Sequence, residues 1–291
     1  MKISLVLSGG GARGYSHIGV IEELKSQGFE IVSISGTSMG AVIGALEACG
    51  KLDVYKKWVM SLDFLDILKF LKPPFNRLDG DKIFKKIKEL VGEYKIEELP
   101  IKFTAVATDL TKKKEIWFQK GDLWQAVKAS SAIPGVFEPV EIKGRVLVDG
   151  GVLNLMPVAP VMSDMSDLIV AVNLYAEERE LNLEIPHEVR KKQSIFEDVW
   201  KKIFSGKEDV VNESINLMME VIFRYRCAEY TPDIEIKVPQ NLANWYEFHK
   251  APELIESGRL IAREAIENAK KQGIISNKKD EDAKDLHEKR A

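Results

Sequence analysis

The stretch IVSISGTSMGAVIGALEA, residues 31–48, decides the fold class. Residues 31–35 are short, apolar and rich in β-branched side chains, the pattern of a buried strand, and residues 41–49 are small and apolar over the length of a helix. Between them Gly36-Thr37-Ser38-Met39-Gly40 is a G-x-S-x-G elbow with Ser38 at its apex. Gly36 and Gly40 carry no Cβ, so strand and helix can close around a serine held in a strained conformation with its hydroxyl projecting. The N-terminus of the following helix adds positive potential where an alkoxide would develop.

Working outward, strand and helix patterns alternate as a doubly wound sheet requires. Residues 3–8, 31–35, 102–109, 114–119, 145–148 and 168–173 read as strands, and 20–26, 41–49, 81–91 and 123–130 as helices. The first strand runs into Gly9-Gly10-Gly11-Ala12-Arg13-Gly14, which also fits the dinucleotide fingerprint G-x-G-x-x-G. A nucleotide site needs an acidic residue at the end of the second strand to hold the ribose. Here Glu30 precedes that strand, which ends instead in the serine elbow. The same glycines can present consecutive amides to an oxyanion, and Arg13 can fix the loop through a carboxylate or carbonyl or sit near an anionic head group.

Ser38 needs a base. Of the four histidines, His187 lies in a polar Pro-flanked segment, His249 in a loop or helix start and His287 in the charged tail. His17 follows the glycine loop, where packing or hydrogen bonding beside the loop suits it better than catalysis. Asp149 is better placed: it ends the short strand 145–148 and precedes Gly150 and Gly151, which let the backbone bend sharply. Taken alone, Asp149-Gly150 is an ordinary turn; its company makes it a candidate acid.

These segments, with Ser130-Ser131-Ala132-Ile133-Pro134, resemble the motif set of the patatin-like phospholipases, in order. The match runs from about residue 3 to 175, with a weaker echo at 232–269. The resemblance implies a three-layer α/β/α sandwich with a mainly parallel central sheet and a lipid acyl hydrolase working through a Ser-Asp dyad, with no catalytic histidine, cofactor or metal. It assigns Ser38 as nucleophile, Asp149 as proton acceptor and the amides around Gly10, Gly11 and Ala12 as the oxyanion hole. One departure is small: the acid motif reads D-G-G where many members have D-G-A.

Composition fits that reading. The 291 residues, 45% of them hydrophobic, can fill one large core, expected over 1–270, with a charged tail at 271–291. A net charge of −3 gives no field for nucleic acid. Cys49 and Cys227 form no disulfide framework or metal motif, and the absence of a leader or a long apolar run makes cytoplasm the expected location, with peripheral membrane contact left open. Two stretches could meet lipid. Trp58, Val59, Leu62, Phe64, Leu65, Ile67, Leu68, Phe70 and Leu71 are closed by Pro73-Pro74; Phe196, Val199, Trp200, Ile203 and Phe204 recur at helical spacing among Lys191, Lys192, Lys201 and Lys202. Packing on the core is the commoner use of such patterns, as it is for residues 214–230 with Met218 and Met219. The expected partner is a lipid or acyl-ester substrate. The rivals are a non-catalytic lipid-binding or regulatory protein that keeps the fold and, more weakly, a nucleotide-binding protein using the glycine loop.

Overall fold

The computed structural model describes residues 1–62, 66, 69–72, 77–181 and 210–275. Its strands are β1 (Lys2–Leu7), β2 (Glu30–Thr37), β3 (Leu71–Lys72), β4 (Arg77–Leu78), β5 (Lys102–Asp109), β6 (Lys114–Phe118), β7 (Val140–Ile142), β8 (Arg145–Asp149), β9 (Leu168–Ala176) and β10 (Ile234–Pro239). Its helices are α1 (Ser16–Ser26), α2 (Met39–Ala48), α3 (Leu52–Ser61), α4 (Gly80–Val91), α5 (Leu123–Ser130), α6 (Val210–Glu229) and α7 (Ala251–Lys271). The strands and helices read from the sequence are all present. α1 starts earlier than its apolar pattern, because a 3₁₀ turn over Gly11–Tyr15 runs straight into it, and β9 continues past Asn173 to Ala176.

An eight-stranded sheet has the order β10-β9-β1-β2-β5-β8-β7, with β6 also paired to β5. From β10 to β5 every pairing is parallel. Beyond β5 the sheet turns antiparallel. The β7–β8 turn, Lys143-Gly144, has positive φ at both residues, the mirror-image geometry that tight hairpins favour. Side-chain alternation divides the layers. Ile3, Leu5 and Leu7 of β1 and Val170, Val172 and Leu174 of β9 join the main core with α1, α2 and α7. Val6 and Ala171 point to the other face, under Leu155, Met156, Val161 and Phe223 of α6.

One register places the site. Val106 of β5 pairs with Thr37 of β2, while Ala107 pairs with Asp149 of β8. β6 pairs with Ala105 through Asp109 along one edge of β5, so β2 and β8 must share the other edge. They run along it in opposite directions and meet end to end. The residue after Thr37 and the last residue of β8 are thereby neighbours, whatever the loops between them do.

Among the lipid-facing candidates, Val59 is buried and Trp58 and Phe70 are half-buried at one another. Residues 64, 65, 67, 68, 73, 74 and 187, the whole 191–204 stretch, and the tail from 276, with His287, lie outside the described residues. α6 turns Phe223 to the core and leaves Leu217, Met218, Val221 and Tyr225 exposed, so it is only in part a core helix. No helix among the described residues is long and apolar enough to cross a membrane.

Candidate functional site

Ser38 sits between β2 and α2 at φ 56° and ψ −126°, a conformation non-glycine residues rarely adopt, and it is 5% exposed. Such backbone persists only where the surroundings over-determine it, at about 1–3 kcal/mol. Here the determinants are visible. The Ser38 amide donates to Ser130 Oγ at 3.0 Å, and the Ser130 hydroxyl in turn donates to the Val106 carbonyl at 2.6 Å. Ser131 Oγ donates to the Ser38 carbonyl at 3.2 Å, which also accepts from Ala41 and Val42 of α2. Gly36 and Gly40 lie against each other, with Gly40 also against the Leu7 carbonyl, where a Cβ would come within 2.1 Å.

The end of α5 therefore serves both sides of the site. The Asp149 amide donates to the Ala132 carbonyl at 2.9 Å. Asp149 is 2% exposed; its Oδ1 accepts from the Gly151 amide at 2.7 Å, and its Oδ2 has no partner among the described residues. Burial pushes the carboxyl up to about 7, against a smaller downward pull from the neighbouring Ser38 hydroxyl and from the Gly151 amide. Gly150 presses on the Val106 carbonyl and Gly151 on Leu155 and Met219, so the turn after Asp149 is sealed on both sides.

The glycine loop lies on the other flank of Ser38. A Cβ on Gly9 would fall 3.1 Å from the Ser38 Cβ, and the Gly9 amide donates to the Leu155 carbonyl at 2.9 Å. Gly10 packs on Leu174 and Gly14 on Met39. Gly11 has φ 55°, the left-handed region glycine favours, with the Trp245 carbonyl where a Cβ would be. Of the amides that the resemblance assigns to the oxyanion hole, that of Ala12 donates to the Trp245 carbonyl at 2.8 Å and is already committed. The amides of Gly10 and Gly11 have no acceptor among the described residues. Arg13 takes the first of its two expected roles, donating from Nη1 to the carbonyls of Gln240 and Ala243 at 3.2 Å each while stacking 4.7 Å above the Tyr175 ring.

His17 is fully buried and its Nε2 lies 2.8 Å from the Ser8 carbonyl; burial pulls its pKa down to about 4, so at neutral pH the ring is neutral and Nε2–H donates. It supports the strand end that carries the loop. Glu30 is exposed at the start of β2, the end of the strand away from the glycine loop, and leaves the dinucleotide reading without its ribose partner. Among the described residues no group of His, Cys, Asp and Glu could hold a metal.

Ser38 and Gly11 open onto a cavity of about 110 Å³, walled by Tyr15, Val42, Tyr55, Trp58, Phe84 and Phe137. The Tyr15 and Tyr55 hydroxyls are held well above the usual phenol range, first by burial. A larger groove, about 1150 Å³, includes Asn173, Arg179, Glu220, Lys237 and Glu264 in its lining but neither Ser38 nor Asp149. Contact with Ser38 and an apolar wall select the smaller cavity as the candidate site. Sequence reasoning singled out Ser38 and Asp149 as candidates but not the contacts of Ser130, Leu155, Tyr175 or Trp245. Those contacts join residues far apart in the chain, and only the Ser130 segment carries a local signal.

The family model of the patatin-like phospholipases matches residues 5–162. An uncharacterized NTE family protein of Mycobacterium tuberculosis is 35% identical over 91% of this chain and 91% of its own length. A lysophospholipase of Scheffersomyces stipitis is 29% identical over 59% of this chain, which spans 12% of that longer protein. Among solved structures, VipD from Legionella pneumophila superposes with a TM-score of 0.53 at 18% identity, covering 92% of this chain and 67% of VipD, a likeness of fold.

Proposed function

Because this chain belongs to the patatin-like phospholipase family, we propose that it is a lipid acyl hydrolase that cleaves fatty-acyl carboxylic esters through an acyl-enzyme on Ser38. The observation that carries this reading is a buried carboxylate with one oxygen unpartnered, raised to about 7, beside a serine in strained elbow backbone. In the first step Ser38 Oγ attacks the ester carbonyl and Asp149 Oδ2 takes its proton. The carbonyl oxygen becomes an oxyanion, which takes hydrogen bonds from the amides of Gly10 and Gly11 in this reading. Collapse expels the alcohol, which receives the proton from Asp149. Water then gives its proton to Asp149 and attacks the acyl carbon; collapse returns that proton from Asp149 to the leaving Ser38 Oγ, releasing the acid and restoring both residues.

A carboxylic acid of ordinary strength is a poor base at neutral pH, and an apolar surrounding corrects this. Acyl chains suit the adjoining cavity, whose walls are predominantly aromatic and aliphatic. The lipid is met from the aqueous side, at the membrane surface, by a cytoplasmic protein.

The test uses a fluorophosphonate probe on wild type, Ser38→Ala and Asp149→Asn, alongside hydrolysis of p-nitrophenyl esters of increasing chain length. Labelling lost in Ser38→Ala, with turnover lost in both variants, is the expected result. A folded wild type that neither labels nor turns over any ester would leave a lipid-binding protein without catalysis.

A further inference from the structure

We propose that residues 240–248, which join β10 to α7, are a keeper that sets the glycine loop's free amides in place, with Arg13 as the tie between them. The proposal rests on the hydrolase reading above, and it gives a role to a segment lying wholly outside residues 5–162, where the family model matches.

Five contacts converge on the loop from this segment. The Trp245 carbonyl accepts from the Ala12 amide at 2.8 Å. The same carbonyl lies 2.4 Å from where a Gly11 Cβ would be, so the loop rides directly on the keeper's backbone. Arg13 Nη1 reaches two further keeper carbonyls, Gln240 and Ala243, and its guanidinium is pressed on Tyr175 of β9. Phe248 meets Tyr15 edge-on, with ring centroids 6.0 Å apart, at the far end of the 3₁₀ turn. Gly9 is tied separately to Leu155, so these contacts hold the part of the loop that carries the two unengaged amides.

The keeper has its own internal brace. Glu247, 6% exposed, accepts from the Asn244 amide at 2.7 Å and pairs with Lys250 at 3.0 Å, while its amide donates to the Asn244 carbonyl at 3.2 Å. The brace makes a tight turn of the stretch that presents the Trp245 carbonyl. It touches neither Ser38 nor Asp149. Donors to a developing oxyanion must be placed to within about half an ångström, and a displacement of about 1 Å lowers rate about 10²-fold. A loosened keeper therefore weakens transition-state binding far more than the hold on substrate, since of its residues Phe248 alone lines the acyl cavity. Arg13 and Glu247 are positioning residues.

The experiment measures kcat and KM for a p-nitrophenyl ester in wild type, Arg13→Lys and Glu247→Ala. It also measures inhibition by a trifluoromethyl ketone of the same acyl length, whose adduct with a serine places an oxyanion where the ester's would form. Each variant is checked for folding by thermal melting. The expected result is kcat lowered about 10²-fold, KM changed far less than kcat, ketone affinity weakened by the same factor as kcat/KM, and an unchanged pH midpoint, since Asp149 is untouched. Folded variants with wild-type kcat, or losses confined to KM, overturn the proposal. Arg13→Lys that fails to fold leaves Glu247→Ala to decide, since Glu247 lies outside the loop. Wild type that neither hydrolyses the ester nor binds the ketone removes the hydrolase reading and this inference with it; an active wild type with indifferent variants removes the keeper alone.

Discussion

At Asp149 two demands oppose one another. Burial raises the carboxyl to about 7, and the same burial makes its ionised form unfavourable in the folded protein. The raised folded value means that the protonated group favours folding at low pH, and this contribution is lost as pH rises from about 4, the unfolded value, through about 7. Asp149→Asn should therefore stabilise the protein at pH 8, by up to about 4 kcal/mol, with the gain shrinking to nothing near pH 4. Urea titrations at the two pH values check this, and equal effects at both would contradict it. In wild type, kcat/KM should rise with pH to a plateau with a midpoint near 7, because only the ionised carboxylate can accept the Ser38 proton. His17 acts oppositely. Its folded value of about 4 lies below the ordinary histidine value of about 6.5, so its contribution is present above about 6.5 and fades on acidification through 4. His17→Ala should leave kcat within about tenfold of wild type.

Elements explain what single residues cannot. Ser38 and Asp149 were legible because each lies at a strand end flagged by glycines, a local signature. Ser130 belongs to a recognisable motif, yet its work, bridging the Ser38 amide to the Val106 carbonyl, depends on α5 ending beside β5. Ser130→Ala leaves both buried backbone groups short of a partner, at about 1–3 kcal/mol of stability. The same substitution should lower kcat by about 10²-fold through the displaced elbow, readable by steady-state kinetics beside a urea melt. The Ala12 amide reads as a free donor in sequence for a similar reason: its acceptor, Trp245, lies more than 200 residues away in the chain. The antiparallel half of the sheet is equally hidden there, since strand direction is a matter of partners. Its tight Lys143-Gly144 turn is the local clue.

At the scale of the molecule, the motif-bearing part is completed by the C-terminal helix. α1 and α7 touch backbone to backbone: a Cβ on Gly19 would lie 1.8 Å from the Ile255 carbonyl, and one on Gly258 2.0 Å from the Ser16 carbonyl. Ion pairs Glu22–Arg259 at 2.5 Å and Glu23–Arg263 at 3.0 Å flank that contact. Gly258→Ala should force the helices apart and destabilise by about 3 kcal/mol or more, seen as a lowered denaturation midpoint. We propose that residues 1–270 form one folding unit on this account. A fragment ending at residue 181 should fail to melt cooperatively and should not label with fluorophosphonate; a compact, reactive fragment would refute the single unit. The sequence showed only a weak echo over 232–269 because α7 is recognised by its partner, α1, and no chemical motif marks it.

The end-to-end meeting of β2 and β8 along β5 makes a third strand the ruler for a pair of side chains it never touches. Ser38 and Asp149 lie one step past Val106 and at Ala107, so their spacing is counted in backbone hydrogen bonds, while much of the cavity wall comes from α3, α4 and the turn after α5. On the proposed function, reach and reactivity are thus written in large part in separate stretches of the chain. Exchanging side chains such as Trp58 or Phe84 should then admit longer or shorter acyl chains with the proposed pair undisturbed, whereas one residue inserted into β5 should shift the pair by about 3.3 Å and silence every substrate alike.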